Sequence, residues 1–290
     1  MMTGERRMRE HTACNGKLWS AVALTFALLG ISGQTLAANG TCERIVVTGN
    51  AQYPPVLWVD PDDPKRLTGA AVELLEKVLD GSGIHVDALH VGPWSRAQEE
   101  VRSGRVDMLA GAFLTPSRLA EMDYVHPAYM DVPSVIFVKR GKAFPYSGWD
   151  DLRGKRGSSL VSNSFGAAFD TYAADHLEIN MVPSIQQSFE LLARERVDYV
   201  IYERHQGLAL AAQMNILDQL DVIEGSLINE ALYFTVSHNS ACNSPALRAA
   251  LAQGMHRMAG QGEPRRLLEK YREIWEGQFA PAPGEEPTLE

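Results

Sequence analysis

Gly104-Arg105-Val106-Asp107-Met108-Leu109-Ala110-Gly111-Ala112-Phe113-Leu114-Thr115-Pro116-Ser117-Arg118, followed by Met122-Asp123-Tyr124-Val125-His126-Pro127-Ala128-Tyr129, is the stretch whose reading decides the fold. Val106–Ala110 is a near-continuous apolar run, as expected of a strand covered on both faces of a parallel sheet. Small residues then turn the chain, and Arg118 stands just past a Thr-Pro pair. An arginine fork there suits a carboxylate, because two parallel N–H donors match two oxygens. The plainer alternative is a surface arginine in a loop, where most arginines sit.

Upstream, Arg44–Thr48 reads as a strand, followed by a turn through Gly49-Asn50 and Tyr53-Pro54-Pro55. Ala71, Val72, Leu74, Leu75, Val78 and Leu79 recur at helical spacing after Gly69, and Gly81-Ser82-Gly83 stops that helix. Val86–Val91 reads as a strand. Ser95, with Gln98 three residues on, has the pattern of a capping box for a helix ended by Gly104. Strand, helix, strand, helix, strand is the order of an α/β layer fold. Downstream, Ser134–Lys139 reads as a strand leading into a second unit. That unit holds strands at Arg156–Val161 and Val197–Tyr202 and helices from Gly166 and after Ser184. Leu232–Ser237 is a strand able to return the chain to the first unit. Ser244 caps a helix with Pro245 at its first position, where proline is tolerated, and Glu263-Pro264 repeats that cap and proline for the last helix.

The N-terminus reads as a secretory signal. Arg6, Arg7, Arg9 and Lys17 precede an apolar run from Leu18 to about Ile31, which ends in small residues at Ala37-Ala38. Residues 1–38 are therefore expected to be removed on export; an uncleaved anchor is the alternative. Of 27 basic and 36 acidic residues the leader takes four and two, leaving 23 against 34, a net −11. Such a balance excludes a general nucleic-acid surface and disfavours anionic lipid. About 250 remaining residues suffice for one large or two smaller cores. No internal repeat is evident, and residues 280–290, rich in Pro and Glu, read as a disordered tail. Cys42 and Cys242 survive cleavage. An even pair in an exported chain favours a disulfide over two independent thiols.

The motifs together resemble the periplasmic solute-binding proteins of family 3, which serve amino-acid ABC transporters. The stations are Tyr53-Pro54-Pro55, Thr68-Gly69, Pro93-Trp94, Gly104-Arg105-Val106-Asp107, Thr115-Pro116-Ser117-Arg118, Leu152-Arg153-Gly154-Lys155-Arg156, Val197-Asp198-Tyr199 and Leu268-Glu269-Lys270-Tyr271-Arg272. The resemblance implies an α/β two-lobe periplasmic-binding-protein fold of type II with two crossover hinge strands. It places residues 39–137 and 234–279 in lobe 1 and 138–233 in lobe 2, with Cys42 and Cys242 in one lobe.

The resemblance also implies a site. Arg118 falls on the carboxylate-binding arginine, and Glu203 on the acid that takes the ligand ammonium. Tyr53 falls on an aromatic cover, Thr115 on the loop threonine. Burying a zwitterion requires both an anion and a cation partner. Two departures stand out. Phe113 occupies a position where relatives often carry a hydroxyl, which makes the pocket more apolar. Ser162-Asn163-Ser164 replaces Gly-Thr-Thr, leaving Ser162 and Ser164 as candidate hydroxyls. Trp94 reads as structural.

The implied function is periplasmic binding of a small amino-acid-like solute, by a monomer, for an ABC permease. The alternatives are an enzyme on the same fold, of the cyclohexadienyl dehydratase kind, and a soluble sensor that docks on a receptor. No cofactor or metal is expected. The histidines lack zinc spacing, no Gly-x-Ser-x-Gly elbow occurs, and Gly154-Lys155 lacks the phosphate-loop glycines.

Overall fold

The computed structural model describes residues 42–279; the leader and the tail lie outside them. One mixed sheet of ten strands runs through the described residues, built from two halves of the same plan. In the first half His85–Ala88, Arg44–Thr48 and Met108–Phe113 lie side by side and parallel, and Ile228–Ser237 closes the row antiparallel. In the second half Glu178–Val182, Arg156–Leu160 and Tyr199–Glu203 repeat that order, closed by antiparallel Met130–Lys139. The two closing strands pair with each other through Met130–Leu232 and Ser134–Ile228, so the chain crosses twice between the halves.

The central strand begins two residues later than its apolar run suggests, because Val106 and Asp107 belong to the turn before it. Asp107 works as a strand clamp. Its carboxylate accepts the Val46 N–H at 2.8 Å and the Ser240 hydroxyl at 2.6 Å. The second half repeats the device: the Asp198 carboxylate accepts the Arg156 N–H at 2.8 Å. Arg-Val-Asp occurs at 105–107 and again at 196–198, each time after a residue in the left-handed region, Gly104 (φ 76°) and Glu195 (φ 56°). This short internal echo escapes a search for repeats, since three residues fall below any repeat length. At Gly104 a Cβ would also overlap the Asn239 carbonyl, so the position admits only glycine without backbone movement.

The helix Ala70–Val78 buries Ala70, Ala71, Leu74, Leu75 and Val78, the face its spacing indicates. Ser184 and Ser244 cap their helices through their side chains. Two cap expectations need correction. The helix Trp94–Arg102 is capped by Pro93, not Ser95, and Gln98 turns to other partners. The last helix, Glu263–Gly277, follows Gly262 in the left-handed region rather than a Glu263 cap. One apolar cluster, including Val47, Leu109, Phe234, Phe189 and Tyr202, is continuous through both halves. Cys42 and Cys242 are disulfide-bonded, tying the entry to the first strand to the turn after Ile228–Ser237.

Candidate functional site

The C-terminal ends of the parallel strands in the two halves face one another across a cleft, the side on which open α/β sheets carry their ligands. Its walls include Asn50, Tyr53, Val56 and Leu57 after the first strand and Ala110, Ala112 and Phe113 on the central one. Gly111, Trp94, Arg118, Asn163 and Leu232 complete them.

Arg118 sits in the one-turn helix Pro116–Leu119, whose N-cap is Thr115. The Thr115 hydroxyl accepts the Arg118 N–H at 3.2 Å, so Thr115 fixes the arginine rather than reaching into the cleft. Arg118 is 7% exposed. It donates to the Phe113 carbonyl at 3.1 Å, the Gln98 side-chain carbonyl at 3.0 Å and the Ser162 carbonyl at 3.4 Å. It also lies 5.6 Å from the centre of the Trp94 ring. Among the described residues no carboxylate stands within ion-pair distance of it. Burial pulls its pKa down, while Tyr124, Asp170 and Glu203 act in the other direction. Three donors are held by neutral carbonyls, which leaves a desolvated cation with donors to spare: the state an incoming carboxylate relieves.

Glu203 ends its strand and caps the helix Arg204–Gln213. It is 1% exposed. One carboxylate oxygen accepts the Asn163 amide at 3.2 Å, and the other, equally buried, has no protein partner. Burial raises its pKa to about 7; its own backbone N–H, Asn163 and Arg118 only partly oppose this. The Tyr53 ring meets Tyr202 edge-on at 6.3 Å, and its buried hydroxyl also lacks a partner. Burial and the nearby Glu203 keep that phenol protonated.

The serines of the second half serve other ends. The Ser164 hydroxyl bonds to Asp170 at the start of a helix and accepts the Gly166 N–H at 3.2 Å. Ser162 (φ 61°) offers its carbonyl, not its hydroxyl. Between them Asn163 enters the cleft, a residue the sequence reading passed over. Gln98 and Trp94 were likewise missed as site residues. The signal available was Pro93-Trp94 itself, one turn of helix from Gln98. Phe113 lines the cleft wall.

The two halves also touch directly. Gln98 donates to the Ser162 carbonyl at 3.1 Å, Tyr202 to the Gln52 carbonyl at 2.8 Å, and the Ile185 N–H to the Gln52 side chain at 3.3 Å. Among the described residues there is no group of three or more potential metal ligands.

A two-lobe α/β frame with two crossing strands and a charged cleft between the halves defines a binding protein of the periplasmic type II fold. Residues 45–274 match the bacterial extracellular solute-binding proteins, family 3, and the chain belongs to that family. No curated protein matches it in sequence. Several solved structures share the fold. A histidine kinase sensor domain with similarity to periplasmic binding proteins is 23% identical, with TM-score 0.67 over 80% of this chain and 96% of that one. The amino acid ABC transporter substrate-binding protein AbpA from Streptococcus pneumoniae, bound to L-arginine, is 18% identical, with TM-score 0.66 over 80% and 96%. A mutant of ArgBP from T. maritima is 19% identical, with TM-score 0.66 over 79% and 95%.

Proposed function

We propose that this protein captures a small amino-acid-like solute in the periplasm and delivers it to an ABC transporter. The observation that carries the reading is a pair of complementary, buried, unmatched groups at one cleft: the Arg118 guanidinium in its wall, without a carboxylate, and behind the Asn163 that lines it the Glu203 carboxylate, with an oxygen unpartnered. A zwitterion supplies both missing partners. Its carboxylate takes the remaining Arg118 donors, and its ammonium takes Glu203, with Tyr53 and Phe113 covering the side chain. Membership of an extracellular solute-binding family and structural likeness to an arginine-bound transporter component support the class.

In this reading residues 39–137 and 234–279 move as one lobe and 138–233 as the other, bending in the crossing strands. Thr115 and Ser164 position the site, and Ser162 and Asn163 bring the second lobe to Arg118 and Glu203. Residues 1–38 direct export, and the protein acts as a monomer without a cofactor. The test is calorimetric titration of the mature chain with a panel of amino acids, repeated on Arg118→Ala. Binding by the parent and its loss in the variant is the expected result; wild-type affinity in Arg118→Ala refutes the site.

One observation favours a second reading. A buried acid with its pKa near 7 is also what a proton donor needs, so an enzyme of the dehydratase kind remains the runner-up. Turnover of a cyclohexadienyl acid that Glu203→Gln abolishes while substrate binding persists favours the enzyme. Saturable binding without product favours capture.

A further inference from the structure

The charges of the cleft define a ligand's backbone; the rest of the cleft defines its side chain. Beyond Arg118 and the Asn163 amide, behind which Glu203 lies, the wall includes Val56, Leu57, Ala112, Phe113 and Leu232, with the Trp94 ring beneath the guanidinium. No second acid lines this space to receive a ligand guanidinium, and no second cation to receive a side-chain carboxylate. Two further polar groups stand at the wall: the Tyr53 hydroxyl, buried and unpartnered, and the Asn50 side chain, which is already engaged, donating to the Tyr202 hydroxyl at 3.1 Å and accepting the Gln52 N–H at 3.0 Å. The floor is fixed. A Cβ on Gly111 would stand 2.7 Å from the Tyr129 hydroxyl and 3.3 Å from Leu232, so the backbone there already packs against the crossing strand.

We infer that the site selects α-amino acids with apolar side chains and rejects those carrying an amide or a second charge. This rests on the reading that Arg118 and Glu203 hold the ligand's carboxylate and ammonium. Burying a methylene against these walls favours binding by roughly fourfold. A buried side-chain amide without a hydrogen-bond partner is disfavoured by roughly fivefold to a hundredfold or more, and an unmatched charge by more still. A hydroxyl of the same shape is discriminated least, because an apolar pocket rejects such isosteres poorly. Phe113 is the specificity-determining residue, since its ring fills the place from which a side-chain hydroxyl could reach a polar ligand.

The test is calorimetric titration of the mature chain with L-alanine, L-valine, L-leucine, L-glutamine, L-glutamate and L-arginine, in the parent and in Phe113→Ser. The expected result is that valine binds at least tenfold more tightly than glutamine, glutamate or arginine in the parent. Phe113→Ser should shrink the valine-to-glutamine ratio at least threefold. The parent ratio needs no variant, so a poorly folded Phe113→Ser leaves the inference exposed to refutation. Arginine or glutamine binding as tightly as valine, with that binding lost in Arg118→Ala, overturns the selectivity and leaves the site standing. If none of the six binds, the amino-acid reading itself falls and this inference with it.

Discussion

Glu203→Gln should remove a pH dependence of folding that the structure places in one side chain. Buried Glu203 has its pKa raised to about 7 from an ordinary 4.5. Between those values the folded protein holds more protons at this site than the unfolded chain. Stability therefore falls as pH rises through pH 4.5–7 and loses nothing further from this group above that window. At about 1.4 kcal/mol per pK unit, the loss between pH 4.5 and pH 8 is on the order of 3 kcal/mol. Glutamine keeps the shape and cannot ionise. Its amide N–H₂ takes the place of an unpartnered oxygen, which adds an offset of about 1–3 kcal/mol that does not vary with pH. The diagnostic quantity is therefore the difference between variant and parent as a function of pH. Urea titrations at pH 4.5, 6 and 8 should show that difference moving in favour of the variant by roughly 3 kcal/mol across the window. Other carboxylates titrate in the same range, but they titrate in both proteins and cancel. Parallel profiles with a constant offset would refute the reasoning, because Glu203 would then ionise as freely in the folded protein as in the unfolded one.

Arg118→Ala should weaken binding of a carboxylate ligand by roughly 2–5 kcal/mol, about thirtyfold to several thousandfold, read by calorimetry; Arg118→Lys, which keeps the charge and loses the fork, should fall between it and the parent. Ligand binding that pairs Glu203 with an ammonium should release a proton at pH 6.5, seen as a dependence of the observed heat on the buffer's ionisation enthalpy, and affinity should rise as pH rises through 7. The Cys42–Cys242 bond closes a separation of 200 residues, so its reduction should lower stability by about 5 kcal/mol on the chain-entropy account, and intact-mass analysis of the unreduced protein should find no alkylatable thiol. Gly104→Ala should destabilise the fold by more than 1 kcal/mol in chemical denaturation, since the left-handed backbone and the Asn239 carbonyl both oppose a Cβ.

Much of the frame was legible because it rests on periodicity and punctuation. The apolar face of Ala70–Val78, the Ser184 and Ser244 caps and the near-continuous run of the central strand are local signals; the helix and caps form where their signals lie, and the strand forms two residues later than its run begins. The misplaced caps at Ser95 and Glu263 have one cause. A local capping pattern competes with a neighbouring Pro93 or Gly262 whose backbone already sets the turn, and Gln98 is drawn away by Arg118. Arg118 and Glu203 stand out in the sequence because the family pattern singles them out, and the structure buries both. The hydroxyls were misread because sequence does not reveal that a nearer partner exists. Thr115 closes a helix turn and Ser164 meets Asp170, both within six residues along the chain. Asn163 escaped notice for the complementary reason: its partner, Glu203, is forty residues away and joins it only when the second half folds.

The same half-and-half construction explains why the cleft can hold opposite charges apart. Each Arg-Val-Asp turn clamps the start of its third strand to the first strand of its own half, through Asp107 at Val46 and Asp198 at Arg156. Counting forward from either clamp, the chain runs up a buried strand and emerges at the cleft, at Phe113 on one side and Glu203 on the other. The clamps therefore set where along the strand axis each functional end arrives. A one-residue slip in either half would turn Phe113 or Glu203 to the opposite face of the sheet. Arg118 depends on the first clamp at one remove, because the Phe113 carbonyl holds its guanidinium. The acid and the cation thus belong to separately registered frames, joined by Met130–Lys139 and Ile228–Ser237. On the proposed function, a ligand that bridges them would couple the two frames directly, and closure of the cleft would depend on the ligand's two ends rather than on its side chain.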